Sequence, residues 1–392
     1  MIPEQLQQHI LCVARSLGLE ADSQKIRLWN SDPENPERQR IERVAGKIFP
    51  NQPRVQRWTD WHQEGFDPTK KVRGPNRVVG IVHTVFHSCG GTETWAKHFV
   101  RVLSHKVPIA GLAYLAGDES RNFIPGADGP VPIACGIRAA ERLSSVCDTL
   151  ILWGLSRQIV DQLRKSAHRD CRLIHVHHGD PKSHWSTGIV QEAKAPEDLL
   201  VCVHPEVAGS TGGLWIPNAV DPSRVTTKRT VTSPTVLFMH RFSEEKQPLL
   251  AVESCRLLPA HWRMIFAGRG EFFEQATVQA KGDPRFTFVA DGDPLVLIPQ
   301  ASVFLSLSTT EGFGYSIAEA AASGLRVVSR PVGIAFDPQV ALQIPWKVSC
   351  AEGISQWIHQ AGHQEIQAVA SKEFVTHQFS ERKFAKNWLG VL

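Results

Sequence analysis

The chain has 392 residues, 42% of them apolar and 21% charged, with 29 Gly and 25 Pro. This is globular composition, and it excludes a disordered, collagen-like or coiled-coil protein. The net charge of +4, from 43 basic and 39 acidic residues, is too balanced to argue for nucleic acid on bulk charge. At roughly 100–200 residues per domain the length suggests two or three domains, with room for two cores and a cleft between them. No apolar run reaches the ~18 residues of a membrane span. The N-terminus, Met1-Ile-Pro-Glu-Gln-Leu6, lacks the basic-then-apolar order of a signal peptide. Eight cysteines are scattered without a CxxC, several inside apolar runs such as Leu199-Leu-Val-Cys-Val203. They read as buried free thiols of a soluble cytoplasmic protein.

Residues 1–75 form an accessory extension unlike the rest. Ile2, Leu6, Ile10, Val13, Ala14 and Leu17 keep helical spacing, which predicts an amphipathic helix over 3–18, and a second helix is expected over 36–48. Residues 38–57 hold Arg38, Arg40, Arg43, Lys47, Arg54 and Arg57 against Glu42. Two readings stand: a solvated face of an accessory layer, or peripheral contact with an acidic lipid surface or anionic acceptor.

Over 76–218 short apolar runs alternate with helical segments. Strands are expected at Val78–Phe86, Ile109–Leu115, Thr149–Trp153, Leu173–His177 and Leu199–Val203, and helices at 92–104, 134–145 and 157–167. Loops are expected at 116–131 and 180–198. A polar, Thr- and Ser-rich break at 219–233 reads as a linker. Over 234–376 the alternation restarts. The expected strands are 235–240, 263–267, 286–289, 302–307 and 325–329, and the helices 246–257, 271–280, 294–299 and 315–323. Apolar strands alternating with helices imply parallel sheets covered on both faces, so the fold class is α/β with two Rossmann-like doubly wound domains facing a cleft. A last amphipathic helix lies in 377–392, where it could pack back on the first domain.

The segment Glu311-Gly-Phe-Gly-Tyr-Ser-Ile-Ala-Glu319 is the most informative. A strand ends before it, Gly312 and Gly314 let backbone amides approach a ligand, and a helix starts near Tyr315. The free N–H groups and dipole of that helix favour a phosphate. Glu319, one turn inside, suits hydroxyls such as those of a ribose. The pattern E-G-F-G-x-x-x-x-E-A-x-A-x-G resembles the retaining glycosyltransferases of family 4, with the GT-B fold. Arg326 departs from it, standing where the family has proline. Further segments resemble that family in the same order over about 77–375: Gly90-Gly91 opening the first helix, Ile216-Pro-Asn-Ala-Val-Asp221, Arg241 and Lys246 after the first strand of the second domain, and Gly268-Arg-Gly270. Ala219, His240 and Gln247 stand where the family has glycine.

The resemblance implies a metal-independent, retaining transfer of a sugar from a UDP- or GDP-linked donor to a hydroxyl of a glycan, lipid or small molecule, without a further cofactor. It implies that Arg241 and Lys246 neutralise the leaving diphosphate, and that Glu311 positions the donor sugar. Gly90, Gly91, Gly268, Gly312, Phe313, Gly314, Tyr315, Ser316 and Glu319 line the donor. A histidine near the sugar is best matched by His178, with His177 the alternate, and the cluster His175, His177, His178 leaves zinc as a competing reading. Asp291-Gly-Asp293 reads as a turn and helix cap. The 116–131 and 180–198 loops are the candidates for acceptor specificity. Two other functions stay open: a nucleotide-sugar 2-epimerase of the same fold, and an inactive nucleotide-sugar-binding scaffold.

Overall fold

The structure, a computed structural model, describes residues 78–86, 90–117, 123–126, 129–168, 170–181, 184–362 and 365–392. The expected helices at 3–18 and 36–48 and the basic stretch 38–57 lie outside the described residues. The chain divides into two compact units. The first holds the described residues up to His175 with Ile189–Leu199 and Leu392; the second holds Val176–Gly188 and Leu200–Val391.

In chain order the first elements are β1 (Val79–Phe86), α1 (Gly91–Leu103), β2 (Ile109–Gly117), β3 (Phe123–Gly126), β4 (Gly129–Cys135), α2 (Ile137–Val146), β5 (Thr149–Trp153), α3 (Arg157–Ser166), β6 (Arg172–His177), α4 (His184–Ala193), β7 (Leu199–Cys202), α5 (Pro205–Thr211) and β8 (Leu214–Trp215). The strands form one sheet in the order β3-β4-β2-β1-β5-β6-β7-β8. The ladders β1–β2, β1–β5, β2–β4, β5–β6 and β7–β8 are parallel. Continuous apolar runs such as Leu150–Leu152 are buried along their length, as a strand covered on both faces requires.

Two expected loops hold structure. The segment 116–131 contains β3 and the start of β4, an antiparallel hairpin with Ile124 opposite Val131. Its prolines Pro125, Pro130 and Pro132 hid it, because proline argues against a strand unless the strand is peripheral, and β3 is the edge strand. The helix expected from 134 starts instead at Ile137. β4 runs on to Cys135, and Gly136, at φ 96°, breaks the chain between them. The segment 180–198 contains α4.

His175, read as part of a cluster, is structural. Its Nε2 lies 3.0 Å from Asp198 Oδ2, and the same carboxylate oxygen accepts from Arg164 Nη2 and, at 2.9 Å, from the Ala195 amide. Burial pushes the Asp198 carboxyl up, but the hydrogen bonds from His175 and Arg164 outweigh it and hold the group below its ordinary value.

The second unit continues with β9 (Thr235–Met239), α6 (Pro248–Arg256), β10 (Arg263–Ala267), α7 (Phe273–Ala280), β11 (Phe286–Val289), α8 (Pro294–Leu297), β12 (Val303–Ser306), α9 (Tyr315–Ala322), β13 (Arg326–Ser329), β14 (Leu342–Gln343), α10 (Ala351–Ala361), α11 (Glu365–Gln378) and α12 (Glu381–Leu389). Its strands make an all-parallel sheet in the order β11-β10-β9-β12-β13-β14. One face carries Phe238, Phe242, Trp262 and Phe266, with Phe238 and Phe266 stacked at 5.1 Å. The other packs against the alanines of α9, of which Ala318 and Ala320–Ala322 are fully buried. Small side chains let that helix lie close on the sheet, which fixes where its N-terminus sits.

The Asp198 cluster makes a pH-dependent prediction. A depressed carboxyl contributes stability above its unfolded pKa, and that stability is lost as pH falls through the folded value. Asp198→Asn, which leaves Arg164 and His175 facing a neutral amide, is expected to cost about 3 kcal/mol at pH 7 and to flatten the acid limb of stability against pH, measured by urea unfolding. An unchanged midpoint and slope would contradict the role given to Asp198.

Candidate functional site

In the six-stranded sheet β9 is followed by β10 on one side and flanked by β12 on the other. The strand order reverses between β9 and β12, and the crevice at the carboxyl ends of such strands is where open α/β sheets bind ligands. The loops leaving those two ends are His240–Gln247 and Leu307–Gly314. Three hydrogen bonds join or brace them: Thr309 N donates to Glu245 O at 2.8 Å, Lys246 Nζ to Glu311 Oε1 at 2.7 Å, and Ser308 Oγ to the same Glu311 oxygen at 3.0 Å. Lys246 and Glu311 are both largely shielded, with side chains 11% and 15% exposed.

Arg241 is open to solvent at 70% exposure, and its Nη2 donates to Glu245 Oε1 at 3.1 Å. Glu245 also accepts from Ser243 Oγ at 2.7 Å. Burial pushes its carboxyl up, while Ser243, its own amide and the Lys246 and Arg241 cations bring it below the ordinary value. Glu245 was not among the residues singled out from sequence, yet it links the Arg241 cation to the β12 loop.

Gly312 and Gly314 are required by the path of the chain. A Cβ at Gly312 would stand 1.6 Å from the carbonyl oxygen of His178, so that loop and His178 are brought together by backbone. Gly314 has φ 85° and forms the N-cap of α9 without a side-chain cap bond. The first amides of the helix are thereby presented to the loop, a geometry suited to an anion. Phe313 is buried and packs on Tyr315 at 5.1 Å and Phe379 at 5.5 Å. It therefore offers backbone, not its ring. The Tyr315 hydroxyl is buried with no hydrogen-bond partner among the described residues, and burial, then Glu319 and Asp221, push it well above its ordinary value.

Glu319 lies one turn inside α9 with its side chain 5% exposed. Arg224 grips it: Nε donates to Oε1, and Nη2 to Oε2 at 3.3 Å. Burial drives the Glu319 carboxyl above its ordinary value against the pull of Arg224, and Asp221 adds to the upward shift. Arg224 comes from the segment expected to be a linker. Pro222–Arg224 form a short 3₁₀ turn capped by Asp221, whose Oδ1 accepts from Ser223 N at 2.9 Å. Farther along, Thr226 N donates to Ser323 Oγ at 3.1 Å and Arg229 Nη2 to Ser323 O at 2.5 Å. This stretch runs along α9. The only sequence signal was Asp221-Pro-Ser-Arg224 itself, a capped turn ending in a cation.

His240 is 8% exposed, with ring centroids 4.9 Å from Phe238 and 5.4 Å from Phe304. Its Nδ1 lies 3.4 Å from Ser316 Oγ. Burial and the Lys246 cation bring its pKa down to about 3, so it is a neutral ring at physiological pH. Gly268, at φ 137°, packs against the His240 carbonyl. His177 is buried, and burial lowers its pKa. Among the described residues no group of three or more His, Cys, Asp or Glu is placed to hold a metal ion. Asp293 caps α8, accepting from Leu295 N at 2.9 Å, while Asp291 pairs with Arg269. That agrees with a turn and cap. Gly90 and Gly91 begin α1 in the first unit, where Gly90 O accepts from Thr94 N at 3.0 Å.

Residues 233–352 match the family model for glycosyl transferases group 1. No curated protein matches the chain. Among solved structures, a sucrose-phosphate synthase from Thermosynechococcus elongatus aligns over 81% of this chain and 98% of its own, at 15% identity and a TM-score of 0.65. HepE of Anabaena, solved in complex with UDP-glucose, aligns over 81% and 100%, at 15% identity and 0.62. A glycosyltransferase from Rickettsia africae aligns over 81% and 98%, at 14% and 0.62.

The loop geometry yields one prediction. Gln247 has φ 51°, unique among the described non-glycine residues, and its Oε1 is buried with no hydrogen-bond partner among them. Left-handed backbone costs a side chain about 1–2 kcal/mol. Gln247→Gly is expected to stabilise the protein by about 1 kcal/mol, read from its urea midpoint; a destabilisation would contradict the strain assigned here. The chain has the two-sheet fold of the GT-B glycosyltransferases, and its residues 233–352 match their group 1 family.

Proposed function

We propose that the protein transfers a sugar from a nucleotide-diphosphate sugar, UDP- or GDP-linked, to an acceptor hydroxyl with retention of anomeric configuration and without a metal ion. One observation carries the reading. Lys246, Glu311, the Gly312–Gly314 loop and the uncapped start of α9 converge at the switch point of the six-stranded sheet, inside the segment that matches the group 1 family.

The chemistry follows from charge. Departing diphosphate gains negative charge, and fixed cations and amides aimed at it lower the barrier. An ammonium has three donors; Lys246 gives one to Glu311 and can turn the others to phosphate oxygens. Arg241, held by Glu245 at the rim, is the second cation. These two charges, with the amides at the Tyr315 start of α9, do the work a divalent ion does elsewhere. Glu311, fixed by Lys246 and Ser308, orients the donor sugar. Glu319 receives the ribose hydroxyls, and protonated or paired it repels the diphosphate less than a bare carboxylate. His178 lies beside Gly312 at the sugar end. The acceptor hydroxyl attacks from the face the diphosphate leaves, and the departing oxygen takes its proton. Gly268, packed against the His240 carbonyl, supplies a further backbone approach to the donor. HepE was solved with UDP-glucose, which favours UDP as the first nucleotide to test.

A thermal-shift panel of UDP-, GDP-, ADP- and dTDP-linked sugars tests donor binding. A true donor at 100 times its Kd stabilises by about 2.7 kcal/mol. Glu319→Ala is expected to abolish most of that shift, and Arg241→Ala to retain it while lowering turnover about tenfold or more. Turnover of a UDP-sugar with no acceptor would indicate the epimerase instead. Binding without turnover across an acceptor panel would indicate the inactive scaffold, and loss of activity in EDTA restored by Mn²⁺ would contradict the metal-independent chemistry.

A further inference from the structure

The second unit contains a cavity of about 500 Å³ whose walls include Trp215, Phe336, Phe374, Phe379, Gly312 and Asp337. None of the donor-site side chains reads into it, and Gly312 is the backbone it shares with the donor loop. Its volume lies in the range of small-ligand pockets.

Its walls are aromatic and held in place. The Trp215 indole donates from Nε1 to Val203 O at 3.2 Å, Phe336 packs on His204 at 5.9 Å, and Phe379 packs edge-on against both Phe313 at 5.5 Å and Phe374 at 6.2 Å. Trp215 and Phe336 remain 42% and 45% exposed. Large apolar rings fixed at the mouth of a concave surface mark a binding site. Sugar hydroxyls pushed into this space would lose water and find few partners beyond Gln378, whose Oε1 already accepts from Lys383 Nζ at 2.9 Å, and the second Asp337 oxygen, a cost of several kcal/mol. The Val203 carbonyl is already bonded to Trp215, and Asp337 Oδ1 already accepts from Gln339 N at 2.9 Å. The Asp337 carboxylate also disfavours an anionic occupant.

We infer that this cavity takes the apolar, uncharged aglycone of the acceptor, an aryl or short alkyl group, and so selects glycosides over free sugars. The inference rests on the glycosyltransferase reading for the word acceptor. Gly312 supplies the link: an aglycone seated against the rings has its sugar emerging beside Gly312, whose neighbour Glu311 belongs to the donor loop.

Phenyl and hexyl glucoside, with glucose as reference, test this by calorimetric titration of the full chain. The expected result is at least tenfold tighter binding of both glucosides than of glucose. Trp215→Ala and Phe336→Ala, at half-exposed positions, should each weaken the glucosides at least fivefold with an unchanged urea midpoint. Val278→Ala, an exposed site on α7, should change nothing. Glucosides that bind no better than glucose, or variants that bind them as tightly as the parent, would overturn the inference. Nucleotide-sugar stabilisation of the unmodified chain is scored apart. Its absence would defeat the glycosyltransferase reading, while the glucoside titrations would still decide what the cavity holds.

Discussion

A buried lysine needs a partner, and in this protein the partner dictates the site. Burying an ammonium alone is costly, so Lys246 is bonded to Glu311 across 65 residues of sequence. That bond joins the loop leaving β9 to the loop leaving β12, the two strands between which the sheet reverses its order. Once the loops are joined, the chain must turn through Gly312 and Gly314 to reach α9, and the amide end of that helix faces the same point. The cation, the acid and the helix terminus are therefore consequences of one connection.

A second carboxylate is handled differently. Glu319 sits on a helix packed flat by alanines, where water is excluded, and its charge is balanced from outside the sheet by Arg224. The protein spends a short capped turn, Asp221 to Arg224, to do this. Glu311, in the loop before α9, and Glu319, inside it, thus have separate counter-charges, Lys246 and Arg224, which keeps the two acids from opposing the same ligand.

The alternation of apolar strands with helices was legible, because parallel strands buried on both faces leave uninterrupted apolar runs such as those at 150–153 and 264–267. The glycines of the 311–319 segment were legible because close approach at Gly312 and positive φ at Gly314 restrict the residue type, and its two acids were legible from their spacing. What stayed hidden depended on partners distant in sequence. Arg224 lies 95 residues from Glu319, and Asp198 meets His175 and Arg164 only after three elements assemble. The β3–β4 hairpin was masked by prolines that an edge strand tolerates. Gln247 for glycine was visible as a departure, and its positive φ shows why glycine is the usual residue there.

We propose that Lys246 and the start of α9 form a diphosphate site. Titration of UDP and GDP, each beside its parent nucleoside, into the unmodified chain and Lys246→Ala separates phosphate recognition from base and ribose recognition. Lys246→Ala is expected to weaken the matching diphosphate by about tenfold or more, as loss of a charge-assisted bond implies, and to leave the nucleoside unchanged. Equal affinity of the diphosphate for both proteins would contradict it.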